Sequence, residues 1–334
     1  MERENQMDLF LPTLTQMAFL FAFIVLGYIL SKTNVVPDNS AGVLAKLENN
    51  LFIPALVMGT FITNFTTDKL ASAGKLFLLS FAVLAITIPL SILVSRICAK
   101  ETYIRNIYTY AMSFSNFGFM GNAVVSALFP DIFLEYLIFT LPLWTMIYLW
   151  GVPFMLISDG KKRSIKDSLR SFVNPMFVCM IIGMIIGLIR IPLNITIPSW
   201  IISENGSGGV VGVAGSCMSP IAMILTGITV AKIDLKKAFT NLSIYAISFF
   251  RLIAFPLLFI GIFSVLPPFL PSNEWNTFVI CTVCTVTMPL GLNTIVIPSA
   301  YGKDTTVASG MALISHILSC ITIPIIFMIL NLIV

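Results

Sequence analysis

Ser113-Phe-Ser-Asn-Phe-Gly-Phe-Met-Gly-Asn122 lies inside an apolar run long enough to cross a membrane, yet it is a poor unbroken helix. Glycine raises the entropic cost of helix, and short polar side chains compete for backbone hydrogen bonds. A second stretch, Thr285-Val-Thr-Met-Pro-Leu-Gly-Leu-Asn-Thr294, has the same character. Its Pro289 removes a backbone donor and clashes with the preceding turn. Opened backbone in hydrocarbon leaves polar groups unpaired at several kcal/mol each, so it survives only where protein or a water-filled cavity satisfies it. Paired interruptions in two halves of a membrane chain point to a transport site.

Around these two stretches the chain reads as a series of spans. Apolar runs cover 10–31, 40–62, 75–97, 104–128, 132–157, 169–190, 208–230, 241–266, 276–299 and 305–332. Each approaches the roughly twenty apolar residues that a bilayer requires. Apolar residues make up 57% of the 334 and charged residues only 10%, against about 25% charged in a soluble domain. The expected fold is therefore an all-α integral membrane protein of ten transmembrane helices, with broken helices in spans four and nine. Lipid is its first partner.

Loop charges set the orientation. Numbering the loops alternately, one face holds Lys32, Arg96, Lys100, Arg105, Lys161, Lys162, Arg163, Lys166, Arg170, Lys232, Lys236, Lys237 and Lys303. The other holds only Arg3, Lys69, Lys75 and Arg190. The first face is read as cytoplasmic, which puts both termini outside a multi-pass plasma-membrane protein. The first apolar run is too long for a signal peptide and is kept as a span. The basic loop 158–170 divides the chain into residues 1–160 and 161–334, with five spans each. An odd number per half inverts the second half against the first, an arrangement common among secondary transporters. Proline pairs agree: Pro12 with Pro175, Pro54 with Pro220, Pro89 with Pro256 and Pro153 with Pro324 are offset by values drifting from 163 to 171.

Several function classes are disfavoured. A net charge of +4 gives no footprint for nucleic acid. The six cysteines form neither a disulfide framework nor a paired zinc motif, and the Cys281–Cys284 pair sits inside a span, where packing explains it. A single histidine, few membrane acids and no nucleotide-binding loop argue against an enzyme or an ATP-driven pump. No metal or cofactor is expected beyond a coupling sodium ion or proton.

The candidate substrate-binding residues are Asn116, Asn293 and Asn122, with Ser115 and Thr294. An amide offers donors without a second full charge and can hold a carboxylate beside half-helix N-termini. The alternative is that these residues only cap broken helices or bond helix to helix. The helix breaks are assigned to Gly118, Gly121, Pro289 and Gly291. Glu48, His316 and Arg251 are candidates for ion or proton coupling, because ionisable residues in a membrane mark function by default. Their structural alternatives are pairing of Glu48 with Lys46, pairing of Arg251 with a carboxylate such as Glu48, and a hydrogen-bonded core role for His316. Gly183-x-x-x-Gly187, and Gly208, Gly212 and Gly215, fit close helix packing.

At these residues the chain resembles the auxin efflux carrier family, which includes bacterial organic-acid permeases and plant PIN-type auxin transporters. Asn116-Phe-Gly-Phe-Met-Gly121 resembles the family's fourth-span crossover. Met288-Pro289, Asn293 and Tyr301-Gly302 resemble its ninth-span crossover, Leu51-Phe-Ile-Pro-Ala55 its second span, and Asn174-Pro175 the start of its sixth. Asn122-Ala123 departs from the small or apolar residue and proline of many members, and the long cytoplasmic loop of many plant members has no counterpart. The resemblance implies two inverted five-helix repeats, a scaffold part and a moving transport part, an elevator-like mechanism and a homodimer. It also implies that Asn116 contacts a substrate carboxylate and that Pro54 lies where substrate is lined. The function expected is secondary transport of a small organic anion such as a dicarboxylate or an aromatic acid. The competing expectation is a non-transporting ligand sensor on the same fold.

Overall fold

The computed structural model describes residues 10–157, 175–232 and 240–334. The basic loop 158–170, together with Asn174, Lys236 and Lys237, lies outside the described residues. In chain order the helices are α1 (Phe10–Lys32), α2 (Ser40–Asn64), α3 (Leu70–Cys98), α4 (Thr102–Ser113), α5 (Phe117–Leu128), α6 (Pro130–Leu156), α7 (Pro175–Arg190), α8 (Gly209–Ala231), α9 (Leu242–Val265), α10 (Ser272–Thr287), α11 (Asn293–Ala300) and α12 (Thr306–Leu330). Seven of these, α1, α2, α3, α6, α8, α9 and α12, are long and apolar enough to cross a membrane. α5 and α7 are apolar but shorter. No strand forms among the described residues. Large apolar side chains such as Leu78, Ile97, Ile185 and Leu242 are exposed, a surface suited to lipid and not to water. The protein is a multi-pass, all-α membrane protein.

Proline shapes several of these helices. In α2 the turn Glu48–Phe52 widens to a π-helical turn just before Pro54. In α9 the turn Phe250–Ala254 widens just before Pro256, and in α6 Pro153 lies inside a wide turn spanning Ile147–Leu156. Proline lacks an N–H and pushes on the carbonyl four residues earlier, so the turn ahead of it opens. These wide turns carry Glu48 and Arg251, both fully buried.

α1 lies along α8 and packs on α12 as well, and α2 lies along α7 and the start of α8. α3 packs on α4 and α6, while α9 packs on α10 and α12. Gly183 and Gly187 do allow close approach: Cβ atoms added there would press on backbone of α2 at Met58 and Phe61 and on Phe65 just after it. Gly215 also meets α2, at Leu56, whereas Gly208 and Gly212 pack against the loop before α8. The tightest approach was not legible in sequence. A Cβ on Gly227 would fall on the Ile24 carbonyl of α1, and one on Gly27 on the Ile224 carbonyl of α8. Gly227→Val is therefore expected to push α1 from α8 at a cost of about 1–3 kcal/mol. A thermal melt of the detergent-solubilised variant checks this, and an unchanged midpoint would refute the packing described.

Charged side chains join helix ends. Lys69, just before α3, pairs with Glu135 of α6 at 2.6 Å, and Lys75 of α3 pairs with Glu274 of α10 at 2.8 Å. Lys232 reaches Asp38, and Tyr103 donates to the Asp304 carbonyl.

Candidate functional site

Two helices end at the same point in the core. α4 stops at Ser113, and Phe114 turns extended. α10 stops at Thr287, and Met288 turns extended. The loose pieces pair with each other. Ser115 and Leu290 form an antiparallel bridge, and the Asn116 N–H donates to the Pro289 carbonyl at 2.8 Å. Opened backbone in a membrane protein is thus satisfied by the other opened backbone. The Ser115 hydroxyl donates to the Thr285 carbonyl at 2.7 Å, and the Leu290 N–H donates to Ser315 at 3.3 Å.

This geometry moves one expected break. The chain opens at Phe114–Asn116, and Gly118 and Gly121 already lie in the wide first turn of α5, Phe117–Gly121. They are packing positions: a Cβ on Gly118 would strike the Trp144 ring, and one on Gly121 the Tyr136 hydroxyl. Pro289 and Gly291 do lie in the second break. Glycine and proline mark weak helix, but the point of opening is set by a partner strand far away in sequence.

Arg251 holds the ends of the two stopped helices. Its guanidinium donates to the carbonyls of Met112, Thr285 and Met288 at 2.8, 2.9 and 3.1 Å. The expected carboxylate partner is replaced by backbone. The physical reason is the helix dipole: each C-terminus carries about half a negative charge. Two such ends together balance one arginine. Glu48 is correspondingly not its partner, nor that of Lys46; both Glu48 carboxylate oxygens are buried without a hydrogen bond.

The other two half-helices begin at the same point. α5 starts after Asn116 and α11 starts at Asn293. First-turn N–H groups have no partner within their own helix, and a helix N-terminus carries about half a positive charge; in α11 those of Thr294 and Ile295 turn back to the Gly291 and Leu292 carbonyls. A cleft of about 10 Å³ lies between these two starts, lined by Asn116, Asn293, Tyr110 and Trp144 among others. That is about enough for one water molecule. Asn116 is buried, its Nδ2 faces His316 Nε2 at 3.2 Å, and its Oδ1 has no partner. The Tyr110 hydroxyl is buried beside the Asn293 side chain.

The remaining candidates divide. Thr294 is committed to the Gly291 carbonyl at 2.7 Å, and Ser115 to Thr285, so both side chains tie backbone. Asn122 is buried with an unpartnered Oδ1, but it lines a different, largely apolar space with Ile53, Val57, Leu137 and Met180. Pro54 is buried in the turn where α2 resumes. Its neighbour Ile53 lines that space and also a cavity of about 120 Å³ between α2, α7 and α6, with Asn49, Asn50, Trp144, Tyr148 and Met176. Tyr110, Trp144 and Tyr148 were not singled out in the sequence. Aromatic side chains in apolar runs read as packing, and nothing in their spacing marks a cleft.

Comparison with known families gives one result: a family model described as membrane transport protein matches residues 12–327. No curated protein matches the chain.

Proposed function

From a chain that belongs to the membrane transport protein family, the family of the auxin efflux carriers, we propose a secondary transporter of a small organic anion, whose carboxylate binds where α5 and α11 begin. The single observation that carries this reading is the meeting of both half-helix starts at one cleft lined by Asn116, whose buried Oδ1 has no partner. The charges at the two breaks leave an excess. Arg251 balances the two C-termini, so about half a positive charge at each N-terminus has no counterpart. Together they match one carboxylate.

The pairs of broken helices fit ten spans in two inverted repeats, the breaks being spans four and nine. The ion pairs fit the same alternation. Lys69, Lys75, Glu135 and Glu274 share the face assigned as outer, while Asp38, Lys232, Tyr103 and Asp304 share the basic face. The helices α1, α2, α7 and α8 would form the static scaffold, and the rest the moving part. The cleft is too small for an organic anion with the two groups closed together, so binding requires their separation, as an elevator motion provides.

Counterflow in liposomes tests the function. Purified protein should exchange a labelled carboxylate, from a panel of aliphatic and aromatic acids, against an unlabelled internal pool. Failure of every member to exchange would reject the proposal. Within the panel, neutral amides of the same acids should not exchange.

A further inference from the structure

Hydrogen-bond directions between Asn116 and His316 are forced by chemistry. His316 Nδ1 lies 2.7 Å from the Ala312 carbonyl, one turn earlier on α12. A carbonyl only accepts, so Nδ1 carries a hydrogen. In the neutral ring Nε2 is then a bare acceptor. It faces Asn116 Nδ2, the donor, at 3.2 Å. The amide is therefore turned with Oδ1 away from the ring, and Oδ1 has no partner. Asn116 and His316 are only 1% and 2% exposed, so water does not relax this constraint. In this state Asn116, which lines a cleft whose helix ends favour an anion, spends an amide donor on the ring and keeps an unpaired acceptor, while an anion needs donors.

We propose that His316 and Asn116 together couple one proton to each anion, by inversion of the Asn116 amide. A proton added to Nε2 makes that nitrogen a donor. Asn116 must then present Oδ1 to the ring, which brings Nδ2 to the place Oδ1 held. The cleft gains N–H donors and loses an unpaired acceptor. Proton and carboxylate each favour the other's binding, and by linkage the effect is reciprocal. The proton comes from water on the side where the anion enters and leaves with it; only an N–H bond is made and broken. The empty, neutral site returns to the acceptor arrangement seen here. This inference rests on the anion site proposed above.

The surroundings do not supply another partner for the ring. The titratable side chains on helices packed against α12 are Tyr28 and Lys32 of α1, Cys217 of α8, Tyr245 and Arg251 of α9, and Glu274, Cys281 and Cys284 of α10. None acts on the imidazole, whose contacts are Asn116 and the Ala312 carbonyl. Arg251 is committed to its three carbonyls. On α12 itself, Cys320 donates to the His316 carbonyl, not to the ring.

Proton counting by titration calorimetry tests the coupling. Acetate, succinate and phenylacetate are titrated into the purified protein in buffers of different ionisation heat. The wild type should take up about one proton per anion, and affinity should fall about tenfold per pH unit on the alkaline side. His316→Gln supplies an amide that accepts or donates without a proton. It should bind more weakly, take up no proton and lose the pH slope. Anion binding by the wild type with no proton uptake overturns the coupling and leaves the anion site standing. So does a full proton taken up by His316→Gln. The wild-type count decides the matter even if that variant does not fold. Absence of binding by all three acids overturns both readings.

Discussion

Replacing Arg251 with methionine is expected to be among the most damaging single changes in this protein. The buried carbonyls of Met112 and Met288 lose their donor, and that of Thr285 keeps only the Ser115 hydroxyl. An unsatisfied buried acceptor costs about 1–3 kcal/mol, so the two together cost on the order of 4 kcal/mol. Folded proteins hold only about 5–15 kcal/mol in reserve. The two helix C-termini also lose the charge that lets them lie side by side. The expected result is little monodisperse protein in detergent and a melting midpoint lower by about 10 °C or more. Arg251→Lys keeps the charge but not the planar fork that reaches three carbonyls at once, so it should fall between the two. A methionine variant as stable as the wild type would show that the backbone junction needs no cation.

Asn116→Asp separates folding from binding. The Asn116 side chain makes no capping bond to α5 and aspartate has nearly its shape, so the start of α5 should hold. A carboxylate there, however, meets the substrate carboxylate as a like charge. At about 4 Å and an effective dielectric near 20, that repulsion is about 4 kcal/mol, or roughly a thousandfold in affinity. If His316 takes a proton beside Asp at this position, the ion pair occupies both groups and still leaves no donor for the anion. The expected outcome is a normal melt and no measurable carboxylate binding by calorimetry. Near wild-type affinity would move the anion elsewhere.

Much of the fold was legible because membrane physics is local. Around twenty apolar residues announce a crossing wherever the chain goes next, and the described helix limits lie close to the apolar runs. Gly183 and Gly187 were legible because four-residue spacing puts them on one face of a single helix. Gly27 and Gly227 were not, since each stands alone in its own helix and only the contact between α1 and α8 gives them meaning. The two broken segments were visible as weak helix, but the first opening was placed at Gly118 and Gly121, two to five residues after Asn116. Its position depends on the bridge to Leu290, a contact that no local propensity encodes. Arg251 taught the same lesson. A buried charge suggested a carboxylate, whereas its partners are carbonyls at the ends of two helices remote in sequence. Asn116, Asn293 and Ser115, expected as site residues, line one cleft, while Thr294 bonds the Gly291 carbonyl and Asn122 lines a separate space.

The most direct test of the anion site is a crystal structure with a bromine-labelled aromatic carboxylate, such as 4-bromophenylacetate, located by anomalous scattering. The ligand's carboxylate should lie between the starts of α5 and α11, within hydrogen-bond distance of Asn116 or Asn293, with the guanidinium of Arg251 still on its three carbonyls. The contrary result would be a ligand held instead in the cavity of about 150 Å³ lined by Lys69, Lys75, Glu135 and Glu274, with the paired breaks unchanged and empty.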